Sequence, residues 1–318
     1  MKVYLQYKPN DTGKGKFLSR LIPELTKLGI KCMYARKGCD VTLSLTRFRD
    51  ETKGMPKVLR VDGIHLVKSK KTLWRNKIIS DSIKKADVVI WQSKFCQRIG
   101  TEVLQITPRK DVIIHNAAPR IPCDEQYEAY TRFHGRADKV IALCAKWDYA
   151  DGKPRLHKRL NSQAELAAWY TAFNPGVEFR IFGRTRDRPF ERSGIRYYGH
   201  LTEDDLKKQL CACDVLLYLP YYDWMPNSVV ESIAAGLPVV ASNNGGHAEV
   251  ADVVIKTDVE LPAEMMAREK VPGLAFPEIG KVLDTINRSF VKMTTIKIMQ
   301  DIALKYKAAL EAAIHAHS

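Results

Sequence analysis

Residues 223–249 gather an acid, a helix start and a glycine-rich turn within one short stretch, a grouping suited to a phosphorylated ligand. The run is Asp-Trp-Met-Pro-Asn-Ser-Val-Val-Glu-Ser-Ile-Ala-Ala-Gly-Leu-Pro-Val-Val-Ala-Ser-Asn-Asn-Gly-Gly-His-Ala-Glu. It reads as a loop, a helix of about two turns, a sharp stop and a buried strand. Asn227 and Ser228 stand at the helix start, where free backbone N–H groups and the positive end of the helix dipole suit a diphosphate. Glu231, one turn further on, can accept two hydrogen bonds from the vicinal hydroxyls of a ribose. Ser228 and Glu231 also fit a capping box, so Glu231 has a structural use as well. Gly236 fits the left-handed position after the helix, and Pro238 prevents continuation. Asp223 is left at the end of the ligand beyond the diphosphate.

Three further groups invite chemistry. Gly13-Lys14-Gly15 lies in a loop, Pro9 to Gly15, that enters a helix, but Leu18 occupies the third position of a Gly-x-Gly-x-x-Gly fingerprint. Lys16 is followed by Phe17 and not by the Ser or Thr of a P-loop, so a dinucleotide dehydrogenase and a P-loop NTPase are both disfavoured. Asp62-Gly63-Ile64-His65 follows an apolar strand and falls at the edge of a sheet; an Asp-Gly turn is the alternative use. Lys68, Lys70, Lys71, Trp74, Arg75 and Lys77 form a basic run with one aromatic, suited to nucleic-acid phosphates or to lipid headgroups.

Elements that position these groups follow from the hydrophobic pattern. Strands are expected at Val3–Tyr7, Val58–Val61, Val88–Trp91, Val112–His115, Val140–Cys144, Glu178–Phe182, Val215–Leu219 and Val239–Ser242. Helices are expected around Phe17–Leu25, Lys77–Lys85, Ser162–Phe173 and Thr202–Cys211, with a helical tail from Ile279 to Ala316. Strands alternating with helices predict parallel sheets covered on both faces, in two doubly wound α/β domains. A chain of 318 residues exceeds what one core usually organises. The boundary is expected within 120–137, giving a basic N-terminal domain 1–130, a second domain 131–295 and a C-terminal helix 296–318 returning toward the first.

Net charge sharpens the division. Residues 1–136 hold 28 Lys and Arg against 13 Asp and Glu, while residues 137–318 hold 23 against 23, so the whole excess of 15 is N-terminal. A field confined to one domain points to a polyanionic partner there, DNA or an anionic membrane surface. The seven cysteines are odd in number and form no Cys-x-x-Cys pair, which predicts reduced, buried thiols. No apolar run is long enough for a membrane span and the N-terminus lacks a signal-peptide core, so a cytosolic protein, peripheral at most to a membrane, is expected.

The segment 223–249 resembles glycosyltransferase family 4. In that family an acid, seven intervening residues and a Glu precede an Ala-rich turn, Gly-x-Pro-Val and a Gly-Gly-x-x-Glu loop, matched here from Asp223 and Glu231 to Glu249. The resemblance implies the GT-B fold, two Rossmann-like domains with the active site between them. It implies a retaining glycosyltransferase using a nucleotide-diphosphate sugar, most simply a UDP-sugar, with no required metal. Lys146 and Lys158 match the family's two diphosphate-gripping cations, and His200-Leu201 matches the turn that frames the base. Gly13 and Gly15 match the loop facing the donor, and Asp62 and His65 match acceptor-side polar positions near the reacting centre, with Lys158 and Asp223 completing the catalytic set. Asp223 stands where the family usually has Glu, and Lys146 where Arg is commoner. In such enzymes the N-terminal domain receives the acceptor. Its charge here points to DNA with hydroxymethylated bases, and then to a membrane glycolipid or surface polysaccharide. A non-catalytic nucleic-acid-binding protein on the same fold is the reading from another class.

Overall fold

The computed structural model describes residues 1–49, 52–66, 69–123, 137–149, 151–256, 274–285 and 299–317. Of these, 1–119 and 299–317 form one compact unit, and 120–256 and 274–285 form another.

The first unit runs β1 (Lys2–Leu5), α1 (Gly13–Lys27), β2 (Lys31–Met33), β3 (Val41–Leu45), β4 (Lys57–Val61), α2 (Lys70–Lys85), β5 (Val88–Trp91), α3 (Lys94–Leu104) and β6 (Asp111–Ile113). Its six strands are all parallel in the order β2-β1-β3-β4-β5-β6. The central strands are short Val, Leu and Ile runs buried on both faces, as a parallel sheet with helices on either side requires. Phe17, Leu18, Leu21 and Leu25 of α1 pack on that sheet. The C-terminal helix, Met299–His317, adds Ile302, Tyr306, Leu310 and Ala313 to the same core.

Two helix starts differ from expectation. The Thr12 hydroxyl accepts from Gly15 N at 3.2 Å, so Gly13, Lys14 and Gly15 form the first turn of α1 and not the loop before it. A β-carbon on Gly15 would overlap the backbone of Asn10, which accounts for the glycine. Helix α2 begins at Lys70, two turns before the expected Lys77. Ser69 and Thr72 cap it reciprocally, Thr72 N donating to Ser69 Oγ at 3.2 Å and Ser69 N to Thr72 Oγ1 at 2.9 Å. The basic run therefore lies on a helix.

The second unit runs β7 (Lys139–Cys144), α4 (Leu160–Phe173), β8 (Val177–Phe182), β9 (Ile195–Gly199), α5 (Glu203–Cys211), β10 (Val215–Tyr218), α6 (Asn227–Ala234), β11 (Val239–Ser242), β12 (Val253–Ile255) and α7 (Phe276–Thr285). Its strands are also all parallel, in the order β12-β11-β10-β7-β8-β9. Thr202 caps α5, its hydroxyl accepting from Asp205 N at 3.1 Å. Residues 124–136 of the expected boundary lie outside the described residues, as does the middle of the expected tail helix.

The expectation of seven reduced thiols is corrected. Cys123 and Cys211, 88 residues apart, are joined in a disulfide with their Cα atoms 5.3 Å apart, while Cys32, Cys39, Cys96, Cys144 and Cys213 are free. Local spacing says nothing about a pair that only folding brings together. Among the described residues no helix is long and apolar enough to cross a membrane.

Candidate active site

In the second sheet β7 and β10 are neighbours, yet the chain leaves β7 toward β8 and β10 toward β11. Connections that diverge in this way open a crevice at the carboxyl edge of a parallel sheet. The segments after these strands carry Lys146, Lys158 and Asp223.

Asp223 and Lys158 meet there. The Lys158 ammonium forms an ion pair with Asp223 Oδ2, and the Tyr218 hydroxyl donates to the same oxygen at 2.5 Å. Trp224 N donates to Asp223 Oδ1 at 2.8 Å, and Lys158 Nζ donates to Tyr218 Oη at 2.8 Å. Only 9% of the Lys158 side chain and 15% of the Asp223 side chain are exposed. Lys158 ends a single 3₁₀ turn, Leu156–Lys158, whose last carbonyl accepts from Gln163 Nε2 at 2.7 Å. Tyr221 N donates to His157 O at 2.7 Å and so ties that turn to the chain leaving β10.

The glycine-rich turn closes the other side. Gly246 N donates to Asp223 O at 2.9 Å, and a β-carbon on Gly245 would come within 2.5 Å of that carbonyl oxygen. His247 is fully buried, its Nε2 lying 3.1 Å from Ser242 Oγ.

Electrostatics follow from this burial. Desolvation pushes the Asp223 carboxyl upward, but the Lys158 charge and the hydrogen bonds from Lys158 and Tyr218 outweigh it and hold it at about 2. Burial lowers the His247 imidazole to about 4 and His157 to about 3. At neutral pH the Asp223 carboxylate is thus flanked by two neutral imidazoles. An ammonium has three donors. Among the described residues, Tyr218 and Asp223 take two of those on Lys158, which leaves one for a ligand.

Helix α6 stands beside this cluster, and its cap differs from expectation. Pro226 is the N-cap, with no side-chain hydrogen bond, and Asn227 is the first helical residue. Proline carries a φ already suited to a helix entry, here −73°, so the helix starts early enough to place Ser228 inside its first turn. There Ser228 hydrogen-bonds Tyr218 and closes no capping box with Glu231. Glu231 is half-buried in the next turn. Gly236 is left-handed with φ 75°, as its position after the helix predicts.

Lys158, Asp223 and Ser228 are thereby joined through Tyr218. Lys146 is exposed just past β7. His200, exposed, and Leu201, half-buried, follow the edge strand β9 at the other flank of the sheet.

In the first unit, Asp62 follows β4 and is already engaged. It pairs with Arg60, accepts from Thr46 Oγ1 at 3.3 Å and lies 3.6 Å from Lys14 Nζ. The peptide of His65 is clasped by the Asn76 amide, which accepts from His65 N at 2.9 Å and donates to His65 O at 2.8 Å. Burial, with Arg75 and Lys14 nearby, lowers the His65 imidazole. Lys70, Lys71, Trp74, Arg75 and Lys77 are all exposed on α2, Trp74 by 60%, whereas Lys68 lies outside the described residues.

Sequence reasoning missed Tyr218, His247 and Arg60. Tyr218 is read simply as the end of an apolar strand. His247 sits inside the glycine-rich motif, but nothing local marks it as buried. Arg60 did carry a signal, being the one charge inside the apolar run Val58–Val61.

Residues 156–269 match the family model described as glycosyl transferases group 1. No curated protein matches the sequence. Sucrose-phosphate synthase from Thermosynechococcus elongatus superimposes with TM-score 0.69 at 12% identity, covering 100% of both chains. HepE from Anabaena, in complex with UDP and glucose, gives 0.66 at 12% identity, covering 98% of this chain and 99% of its own. WaaG, a glycosyltransferase involved in lipopolysaccharide biosynthesis, gives 0.61 at 12% identity over 100% and 98%. The chain has the GT-B fold of glycosyltransferases, and its second unit carries the group 1 signature.

Proposed function

We propose that the protein transfers a sugar, with retention and without a required metal, from a nucleotide-diphosphate sugar to a hydroxyl of a polyanionic acceptor. The Lys158–Asp223–Tyr218 cluster at the switch point of the second sheet is the observation that carries this reading. A departing diphosphate gathers negative charge, and a preorganised cation in a dry site stabilises it more than water can. The third donor of Lys158 meets that charge, with Lys146 and the first amides of α6, at Asn227 and Ser228, beside it. Asp223 keeps the ammonium in place and lies at the donor-sugar end, Glu231 takes the ribose hydroxyls, and His200 and Leu201 frame the base. UDP is the nucleotide we place first; HepE is a solved relative of the same fold holding UDP. Gly13 and Gly15 serve the donor from the first unit, and Asp62 and His65 the acceptor hydroxyl.

The acceptor follows from charge. All of the excess of 15 lies in residues 1–136, and the described cations of α2 are solvent-facing. DNA with hydroxymethylated bases is the acceptor we place first. A glycolipid or surface polysaccharide is the second reading, favoured by Leu73 and Trp74, 48% and 60% exposed among those cations, as an interfacial helix presents them. Incubation with UDP-sugars in EDTA, followed by mass spectrometry of modified DNA and of lipid extract, tests both. A hexose or pentose mass shift on either identifies the acceptor. Absence of both transfer and slow UDP release would leave a nucleic-acid-binding protein without catalysis.

A further inference from the structure

The first sheet has a switch point of its own. Strands β1 and β3 are neighbours, while the chain leaves β1 toward β2 and β3 toward β4. A cavity of about 410 Å³ lies at their carboxyl ends, lined by Gln6, Tyr7, Lys8, Asn10, Tyr34 and Arg49 among others. That volume is within the usual range for small-ligand sites.

Its side chains present donors. Gln6 is 8% exposed, and its Oε1 accepts from Arg49 N at 3.3 Å and from the Ser44 hydroxyl. A backbone N–H can only donate, so the amide oxygen must face it. Nε2 of Gln6 is buried and without a partner among the described residues. Asn10 is oriented by the same logic, Oδ1 accepting from Thr12 N at 3.0 Å and Thr12 Oγ1 at 2.5 Å. The Lys8 ammonium lies 5.6 Å from the centre of the Tyr34 ring, and Arg49 adds a guanidinium. No carboxylate is among the described lining residues.

A neutral sugar offers donors and acceptors alike and would leave such a set half-matched. An oxyanion accepts only, and it would match the two cations. Tyr7 and Tyr34 offer aromatic faces for a ring attached to it. We propose that this cavity is a phosphate-recognition site that seats a phosphorylated ring of the acceptor, the phosphate on Lys8 and Arg49 and the ring against Tyr34. The inference rests on the glycosyltransferase reading only in calling the ligand the acceptor. A nucleotide of DNA and a phosphorylated sugar of a glycan share this chemistry.

Calorimetry on the full chain distinguishes them. The probes are 2′-deoxycytidine 5′-monophosphate and glucose 6-phosphate, each against its unphosphorylated parent. At least one phosphate ester should bind ten or more times tighter than its parent. That advantage should vanish in the Lys8→Gln/Arg49→Gln double variant, whose exposed side chains can be exchanged without unfolding. It should survive Lys158→Ala, which separates it from nucleotide binding in the second unit. Preference for the nucleotide assigns DNA, and preference for the sugar phosphate assigns a glycan. Equal binding of ester and parent, full affinity in the double variant, or loss in Lys158→Ala would each overturn the proposal. Binding as expected in a protein that turns over no sugar nucleotide would leave the site standing and remove the transferase reading.

Discussion

Each unit buries one cation against one carboxylate near the carboxyl edge of its sheet, and the two pairs are built for different ends. Arg60 and Asp62 are two residues apart, so the alternation of an extended chain puts both side chains on one face. Arg60 is 2% exposed and its fork is divided among Asp62, Asn116 Oδ1 at 2.6 Å and Gln92 Oε1 at 3.4 Å, with its plane 3.9 Å from the Phe17 ring centre. Lys158 and Asp223 are 65 residues apart and meet only when the loop after β10 folds back on the 3₁₀ turn. A guanidinium divided among three partners and a ring is a fixed brace, whereas the ammonium of Lys158 stands at the switch point of its sheet, beside the start of α6. Burial of an ion pair therefore does not by itself mark a ligand site, and an unused donor does not either, since Arg60 Nε is also buried without a partner among the described residues; the place at the switch point of the sheet does.

Variants can break this contrast. Arg60→Leu should cost the first unit about 3–5 kcal/mol, because Asp62 and Asn116 lose a buried partner; denaturant titration reads it, and a loss below 1 kcal/mol would erase the distinction. Lys158→Ala should lower turnover about 100-fold or more, the effect expected for removing one preorganised donor to a developing anion. Its melting temperature should fall far less than that of Arg60→Leu, since Tyr218 and Trp224 still donate to Asp223. Near-normal turnover would remove Lys158 from the chemistry.

Acid sharpens the second pair. The Asp223 carboxyl is depressed from 3.8 to about 2, so its stabilisation is complete above pH 4 and is lost as pH falls through 2. The amount is ~2 kcal/mol. His247 is depressed from 6.5 to about 4, so protonation favours the unfolded chain and stability declines from pH 6.5 down to 4. Unfolding free energies across pH 2–7 should show both windows. Asp223→Asn should flatten the lower one and His247→Gln the upper. The smallest effect belongs to Thr12→Ala, which removes the cap of α1 and should cost about 1 kcal/mol.

How much could be read beforehand depends on how local each signal is. Val88–Trp91 and Val239–Ser242 coincide with expectation because four consecutive apolar residues between turn signals have little alternative. Strands β2, β3, β9 and β12 are not among the expected ones; β2 and β12, at three residues each, have too few side chains to show a pattern, whereas β3 and β9 are five residues long. Nor is α3 among the expected helices, although Ser93 caps it by accepting from Cys96 N at 2.9 Å. In the site, Asp223, Lys158 and Ser228 could be named from motif and spacing, but the tyrosine that joins them could not.

The sequence by itself determined the two-unit α/β architecture, the stop of α6 at Gly236 and the residues offered to a diphosphate, because helix ends and strand runs depend on neighbours a few positions away. Tertiary structure alone decided that Lys158 reaches Asp223 and that Cys123 reaches Cys211 across 88 residues. Those facts depend on strand order, which places residues distant in sequence at one sheet edge.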